Sequence, residues 1–239
     1  QDAFQVTECA TALDVDGVIV GQYSAQDARA MQLTSNFAGG TVSNVFACRA
    51  TIGTTDHATE IIYCQGITFN KVQTGIILYA RSTGIAMNVA TSQNLMFNDC
   101  RVFNGNIPIS TSVNIALNDT DYVDRFIGRT SSTTPYSGII ISAGCDKITI
   151  DGMTTGLGNT IDDCHPYTAL VTSTGATNIK IRNVGTPASY IKTGIRCPNL
   201  YGCGNLFTTG GNNNNVKIQK CFVGQLRTGL FTTINSDKN

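Results

Sequence analysis

A six-residue pattern, apolar–x–apolar–polar–x–apolar, recurs along the chain. It reads Ile67-Thr-Phe-Asn-Lys-Val72, Leu95-Met-Phe-Asn-Asp-Cys100, Ile148-Thr-Ile-Asp-Gly-Met153, Ile179-Lys-Ile-Arg-Asn-Val184 and Val216-Lys-Ile-Gln-Lys-Cys221. Successive copies begin 28, 53, 31 and 37 residues apart. The interval of 53 reads as two steps, with a degenerate copy, Tyr122-Val-Asp-Arg-Phe126, near its middle. Alternation with period two is the mark of a strand buried on one face. Repeats of this length mark stacked units, each burying its apolar face only against its neighbours. The pattern predicts an all-β solenoid of short parallel strands.

Thr or Ser followed by Gly and then Ile or Leu forms a second signal, at Thr74-Gly-Ile76, Thr83-Gly-Ile85, Ser137-Gly-Ile139, Thr155-Gly-Leu157, Thr193-Gly-Ile195 and Thr228-Gly-Leu230. Glycine there supplies a backbone bend, and the apolar residue resumes a strand. Asn94, Asn178 and Asn215 immediately precede repeat strands, with Asp146 one residue further back. Asn tolerates the left-handed conformation, and stacked Asn side chains can bond along a ladder. Residues 1–23 alternate in places without matching the repeat. Ser24 to Leu33 is the one good helix candidate, with Ser24 as cap, Asp27 at the capping-box position and alanines following. Residues 1–40 are therefore expected to form a lead-in or cap with a short helix near 24–33, and residues 41–239 the solenoid. The lack of an initiator Met, and a C-terminal tail without an obvious cap, suggest a piece of a longer chain.

Charged residues make up 13% of the chain, about half the usual share, so polarity rests on Thr, Asn, Ser and Gly. Lys plus Arg equals Asp plus Glu, which argues against a nucleic-acid footprint. No apolar run is long enough for a spanning helix, so membrane insertion is not expected. The nine cysteines are odd in number and lack the spacing of a zinc knuckle or redox pair. Cys100 and Cys221 fall in the slot that elsewhere holds Val72, Met153 or Val184, so they read as small hydrophobes in a reduced core. Cys197 and Cys203, close together in a turn-rich stretch, are the exception that could pair. No cofactor is implied.

The turn-strand units at Asn94, Asn178 and Asn215, with their Thr-Gly-Ile companions, resemble right-handed parallel β-helices of the pectin-lyase-like class. The variable spacing, long polar insertions and low charge look most like phage tailspike and tail-fibre β-helices, over about residues 41 to 232. That resemblance implies a structural or receptor-binding segment: a rigid homotrimer attached to other virion tail proteins, contacting host surface polysaccharide and assembled in the host cytoplasm. A polysaccharide depolymerase on the same fold is the alternative. A secreted or cell-surface adhesin ranks third, because free thiols are a liability in an oxidising compartment.

Candidate chemistry is sparse. A glycosidase needs two carboxylates flanking the scissile bond. Asp162 and Asp163, in Asn159-Thr-Ile-Asp-Asp-Cys-His165, are the catalytic candidates with Asp124. Adjacent residues of a strand face opposite ways, so Asp162 and Asp163 cannot converge if that segment is extended. Asp119, Asp121 and Asp124 could offer oxygen ligands to calcium, although the glycine and terminal glutamate of an EF-hand are missing. His57, between Asp56 and Glu60, reads as a surface-loop residue. With no Trp in the chain, sugar stacking would fall to tyrosines such as Tyr63.

Overall fold

The computed structural model describes residues 2–23, 29–51, 57–79, 85–103, 105–124, 138–157, 171–183, 207–209 and 213–219, of which 21–23, 50–51, 77–79, 121–124, 154–157 and 207–209 are described by backbone alone. Every element among them is a strand, and all strand pairs are parallel. Sheet A stacks β1 (Phe4–Thr7), β4 (Met31–Thr34), β7 (His57–Ile62), β10 (Ile85–Ala90), β13 (Ile107–Ser110), β16 (Ile139–Ile141), β19 (Val171–Ser173) and β21 (Phe207–Thr209). Sheet B stacks β2 (Leu13–Asp16), β5 (Gly40–Ser43), β8 (Ile67–Asn70), β11 (Gln93–Asn98), β14 (Val113–Asn118), β17 (Asp146–Asp151), β20 (Thr177–Arg182) and β22 (Asn214–Gln219). Sheet C stacks β3 (Ile19–Tyr23), β6 (Phe46–Thr51), β9 (Gln73–Tyr79), β12 (Arg101–Phe103), β15 (Asp121–Asp124) and β18 (Thr154–Leu157). The chain is a parallel β-solenoid in which each of the first six turns contributes one strand to each sheet in the order A, B, C, and the last two contribute strands to A and B among the described residues.

The six-residue copies are the sheet B strands and the bend that follows them. Their first and third positions point inward as two continuous columns, Ile67–Leu95–Ile115–Ile148–Ile179 and Phe69–Phe97–Leu117–Ile150–Ile181, all buried. Phe69 and Phe97 stack with centroids 4.5 Å apart and rings 7° from parallel. The sixth position is buried at Val72, Cys100 and Met153, as expected of a slot that accepts a thiol. Burial pushes the Cys100 thiol up to about 11 and that of Cys48 to about 12, which keeps both neutral.

Two bends turn each coil, and both use left-handed backbone. After sheet B the bend residue is Gly17, Asn44, Lys71, Asp99, Asp119, Gly152 or Asn183, with φ between 45° and 71°. At the head of the sheet B strands, Asn94, Asn178 and Asn215 take φ of 53° to 55°, the conformation expected of them, and Asn114 takes 57°. Their side chains also form part of a ladder: Asn114 donates to Asn94 at 2.8 Å and Asn215 to Asn178 at 2.6 Å. A further ladder runs along the end of sheet B, where Asn98 donates to Asn70 at 3.1 Å and Asn118 to Asn98 at 3.0 Å.

The A-to-B corner is tied from inside. Asn36, Ser92, Ser112 and Asn213 are buried, and each side-chain oxygen accepts a backbone N–H from the preceding coil: Cys9, Cys64, Ser92 and Ala176, at 3.0 to 3.2 Å. Buried polar groups thus replace hydrogen bonds that the bent backbone cannot make to itself.

Three expectations need correction. The gap of 53 divides into steps of 20 and 33, because the intermediate copy is Ile115-Ala-Leu-Asn-Asp-Thr120, in register with β11 and β17. Tyr122–Asp124 belongs instead to sheet C, paired with β12 and β18. Residues 1–40 contain strands of the same ladders: Leu13-Asp-Val-Asp-Gly-Val18 fits the repeat, and β2 pairs in register with β5. The end of the expected helix is strand β4, held between β1 and β7, while residues 24–28 lie outside the described residues. Ladder pairing on both sides overrides the local helical preference of that stretch.

Gly75 shows how closely the coils approach. It has φ 112°, and a Cβ there would run into the backbone carbonyl of Phe103 in the next coil. Gly17 has φ 71° with open space around it. Gly17→Ala is expected to lower stability by about 1 kcal/mol, and Gly75→Ala by roughly 3 kcal/mol or more, read as shifts of urea-unfolding midpoints. Equal effects would contradict the close approach of β9 and β12.

Candidate functional site

Of the candidate carboxylates, only Asp119 has a described side chain. Asp162 and Asp163 lie outside the described residues. Asp124 ends β15 in register with Leu157, and Asp121 pairs with Arg101 and Thr154, but neither side chain is described. Asp119 is exposed at the bend after β14, and its Oδ1 lies 2.5 Å from where a Cβ on Gly152 would stand. Its carboxylate therefore fills the space that Gly152 leaves open one coil later. Among the described residues no group of three His, Cys, Asp or Glu side chains could hold a metal ion. The described cysteines, Cys9, Cys48, Cys64, Cys100 and Cys145, are free. Cys197 and Cys203 lie outside the described residues.

A polar cluster forms where sequence reasoning placed only a loop. His57 begins β7, half-buried, and its Nδ1 lies 3.2 Å from Glu60 Oε1. Gln32 Nε2 donates to Glu60 Oε2 at 2.8 Å, and Gln5 donates to Gln32 at 2.7 Å. Arg29 Nε is 2.6 Å from Glu60 Oε2, an ion pair in which the N–H is not aimed at the oxygen. The Arg29 backbone N–H donates to Asp2 Oδ1 at 2.7 Å. Asp2, Arg29 and His57 are separated by 27 and 28 residues, and Gln5, Gln32 and Glu60 by the same steps. That one-coil spacing was the signal available in the sequence.

The electrostatics of Glu60 define what this cluster can do. Glu60 is only 4% exposed. Burial pushes its carboxyl upward, but hydrogen bonds from His57 and Gln32 and the Arg29 charge outweigh it, leaving about 2 against an ordinary 4.5. A carboxyl held ionised that firmly cannot donate a proton to a leaving group near neutral pH, the task of a glycosidase acid. With two coils tied directly to one carboxylate, and a third linked to it through Gln5 and Asp2, the cluster is a clamp.

Other described carboxylates serve similarly. Asp151 accepts from Arg182 Nε at 2.6 Å and from Asn183 at 2.7 Å, both one coil on. Asp146 accepts from Thr177 and Asn178, each at 2.6 Å, and these bonds lower its pKa. Asp16 accepts from Asn44 at 2.7 Å. Each of these side chains bridges neighbouring coils.

No known family profile matches the chain, and no curated protein matches it. Among solved structures, a candidate glycosyl hydrolase from Parabacteroides merdae aligns over 82% of this chain and 76% of its own, at 10% identity and a TM-score of 0.31. So loose a superposition carries no argument about activity.

The Glu60 clamp gives a pH signature. Its folded pKa lies below its unfolded one, so its stabilisation is fully present above about 4.5 and is lost as pH falls through about 2. Glu60→Gln is expected to be less stable than the parent at neutral pH, by on the order of 3 kcal/mol, and the gap should close between pH 4.5 and 2. Unfolding curves across that range provide the check; a gap independent of pH would contradict the clamp.

Proposed function

We propose that the chain is a rigid, non-catalytic rod that presents a contact face to a surface, in the manner of a phage tail-fibre or tailspike segment. The observation that carries this reading is the use of the described polar side chains. Asp2, Asp16, Glu60, Asp146 and Asp151 all bind residues one coil away. So do the buried caps Asn36, Ser92, Ser112 and Asn213. Charge and hydrogen-bonding capacity that an enzyme would collect in a cleft are spread along the axis as braces.

The finer reading is a homotrimer carried on a virion and joined to other tail proteins. Met96 lends it support: it points outward from β11 and is 44% exposed, an apolar position suited to a second copy. Free, buried thiols at Cys48, Cys64, Cys100 and Cys145 suit folding in a reducing compartment such as a host cytoplasm. The resemblance further suggests a host surface polysaccharide as the contacted partner. Native mass with and without SDS at room temperature tests this reading. An SDS-resistant trimer is expected; a clean monomer would contradict the trimeric rod.

A further inference from the structure

The A-to-B corner changes character between its second and fifth coils. In the first coil it carries Glu8, and in the sixth Asp146 and Lys147. The four corners between them, 35–39, 63–66, 91–94 and 111–114, contain no charged residue. They carry instead two exposed aromatic rings, Phe37 at 61% and Tyr63 at 50% exposure. Tyr63 occupies the left-handed bend position with φ 54°, where the adjacent coils carry only Ser35 and Thr91. Its ring therefore has no bulky counterpart in the bend column on either side. Phe37 belongs to the preceding coil, and the two corners are held together where the Gln65 N–H donates to the Asn36 carbonyl at 2.8 Å.

Beside these rings runs a row of side-chain amides. Gln93 Nε2 donates to Gln65 Oε1 at 3.1 Å, and Asn114 Nδ2 donates to Asn94 Oδ1 at 2.8 Å. Gln93, Asn94 and Asn114 are exposed, and Gln65 is half-buried. Each amide offers two N–H donors and two acceptor lone pairs, of which these bonds consume one site apiece. The remaining sites are held at fixed spacing by the ladder. Spread over three coils about 4.8 Å apart, they extend along about 10 Å of corner.

We propose that this corner is a binding site for an uncharged oligosaccharide lying along the solenoid axis. The apolar C–H face of a pyranose covers the exposed rings of Tyr63 and Phe37, a partner for surface that water otherwise solvates poorly. Its vicinal hydroxyls, each both donor and acceptor, match the unspent sites of Gln65, Gln93, Asn94 and Asn114. An anionic sugar would find no cation among the residues of these four corners. This inference rests on the surface-contact reading and deepens it by naming the face and the ligand class.

The probe is an immobilised array of uncharged glycans, including mannose, glucose, galactose and N-acetylhexosamine oligomers, beside sulfated and uronic-acid polymers. The parent protein is expected to bind one or more uncharged members. Tyr63→Ala and Phe37→Ala should each weaken that binding about tenfold. Gln93→Ala should weaken it several-fold, while Tyr63→Phe, which keeps the ring, should stay within about threefold of the parent. These side chains are surface groups, and unchanged melting temperatures verify that the variants fold. Binding to no uncharged glycan, or to charged polymers alone, overturns the inference. Undiminished binding by Tyr63→Ala and Phe37→Ala removes the site from this corner while leaving surface contact intact. The native mass in SDS is independent of all these outcomes, so failure of the trimeric rod and failure of the corner site are told apart.

Discussion

Register between neighbouring coils is the constraint on which the rest of the structure depends. In a parallel stack, a residue meets its counterpart in the coils before and after it, and a slip by one position would turn every inward side chain outward. The inward columns through Ile67 and Phe69 fix that register by shape, and the Asn70–Asn98–Asn118 ladder fixes it by hydrogen bonding. Left-handed bends at both ends of sheet B hold that strand and its flanks to a near-constant length. Coil length nevertheless varies, and the variation falls mainly in the passage from sheet C to sheet A. That passage takes residues 104–106 between β12 and β13, but 125–138 between β15 and β16.

The same constraint explains where polar chemistry goes. A side chain repeated every coil lies about 4.8 Å from its neighbours, which suits amides and hydroxyls and penalises repeated like charges. Carboxylates therefore appear opposite amides, hydroxyls or a guanidinium, as Asp146 does with Thr177 and Asn178, and Asp151 with Arg182. Where Arg29 and Gln32 of one coil and His57 of the next converge on Glu60, two coils share one buried carboxylate. At the uncharged A-to-B corner the amides and hydroxyls brace the coils in the same way, while the rings of Tyr63 and Phe37 stand exposed beside them.

The fold was legible wherever the repeat kept its spacing. Ile67, Leu95, Ile148, Ile179 and Val216 identified sheet B because apolar alternation is a direct image of one buried face. Ile115–Thr120 escaped because its coil is only 20 residues from Leu95 and its last slot holds a buried Thr120 instead of an apolar residue. Leu13–Val18 escaped because Asp14 and Asp16 dilute its apolar character. Met31–Leu33 closes a stretch whose cap and alanines favour a helix, local signals that know nothing of the two strands flanking it. The Glu60 cluster was hidden for a related reason: its members stand close only after the coil spacing is applied to Asp2, Arg29 and His57 together. Asp162 and Asp163, the catalytic candidates named with Asp124, lie outside the described residues.

The central claim is the register of the ladder through its shortest coil, and methyl NOE spectroscopy tests it most directly. Ile115 should show contacts to both Leu95 and Ile148, its partners 20 residues before and 33 after. Direct contacts between Leu95 and Ile148 with Ile115 outside the column would contradict the stacking of β11, β14 and β17 and the account built on it.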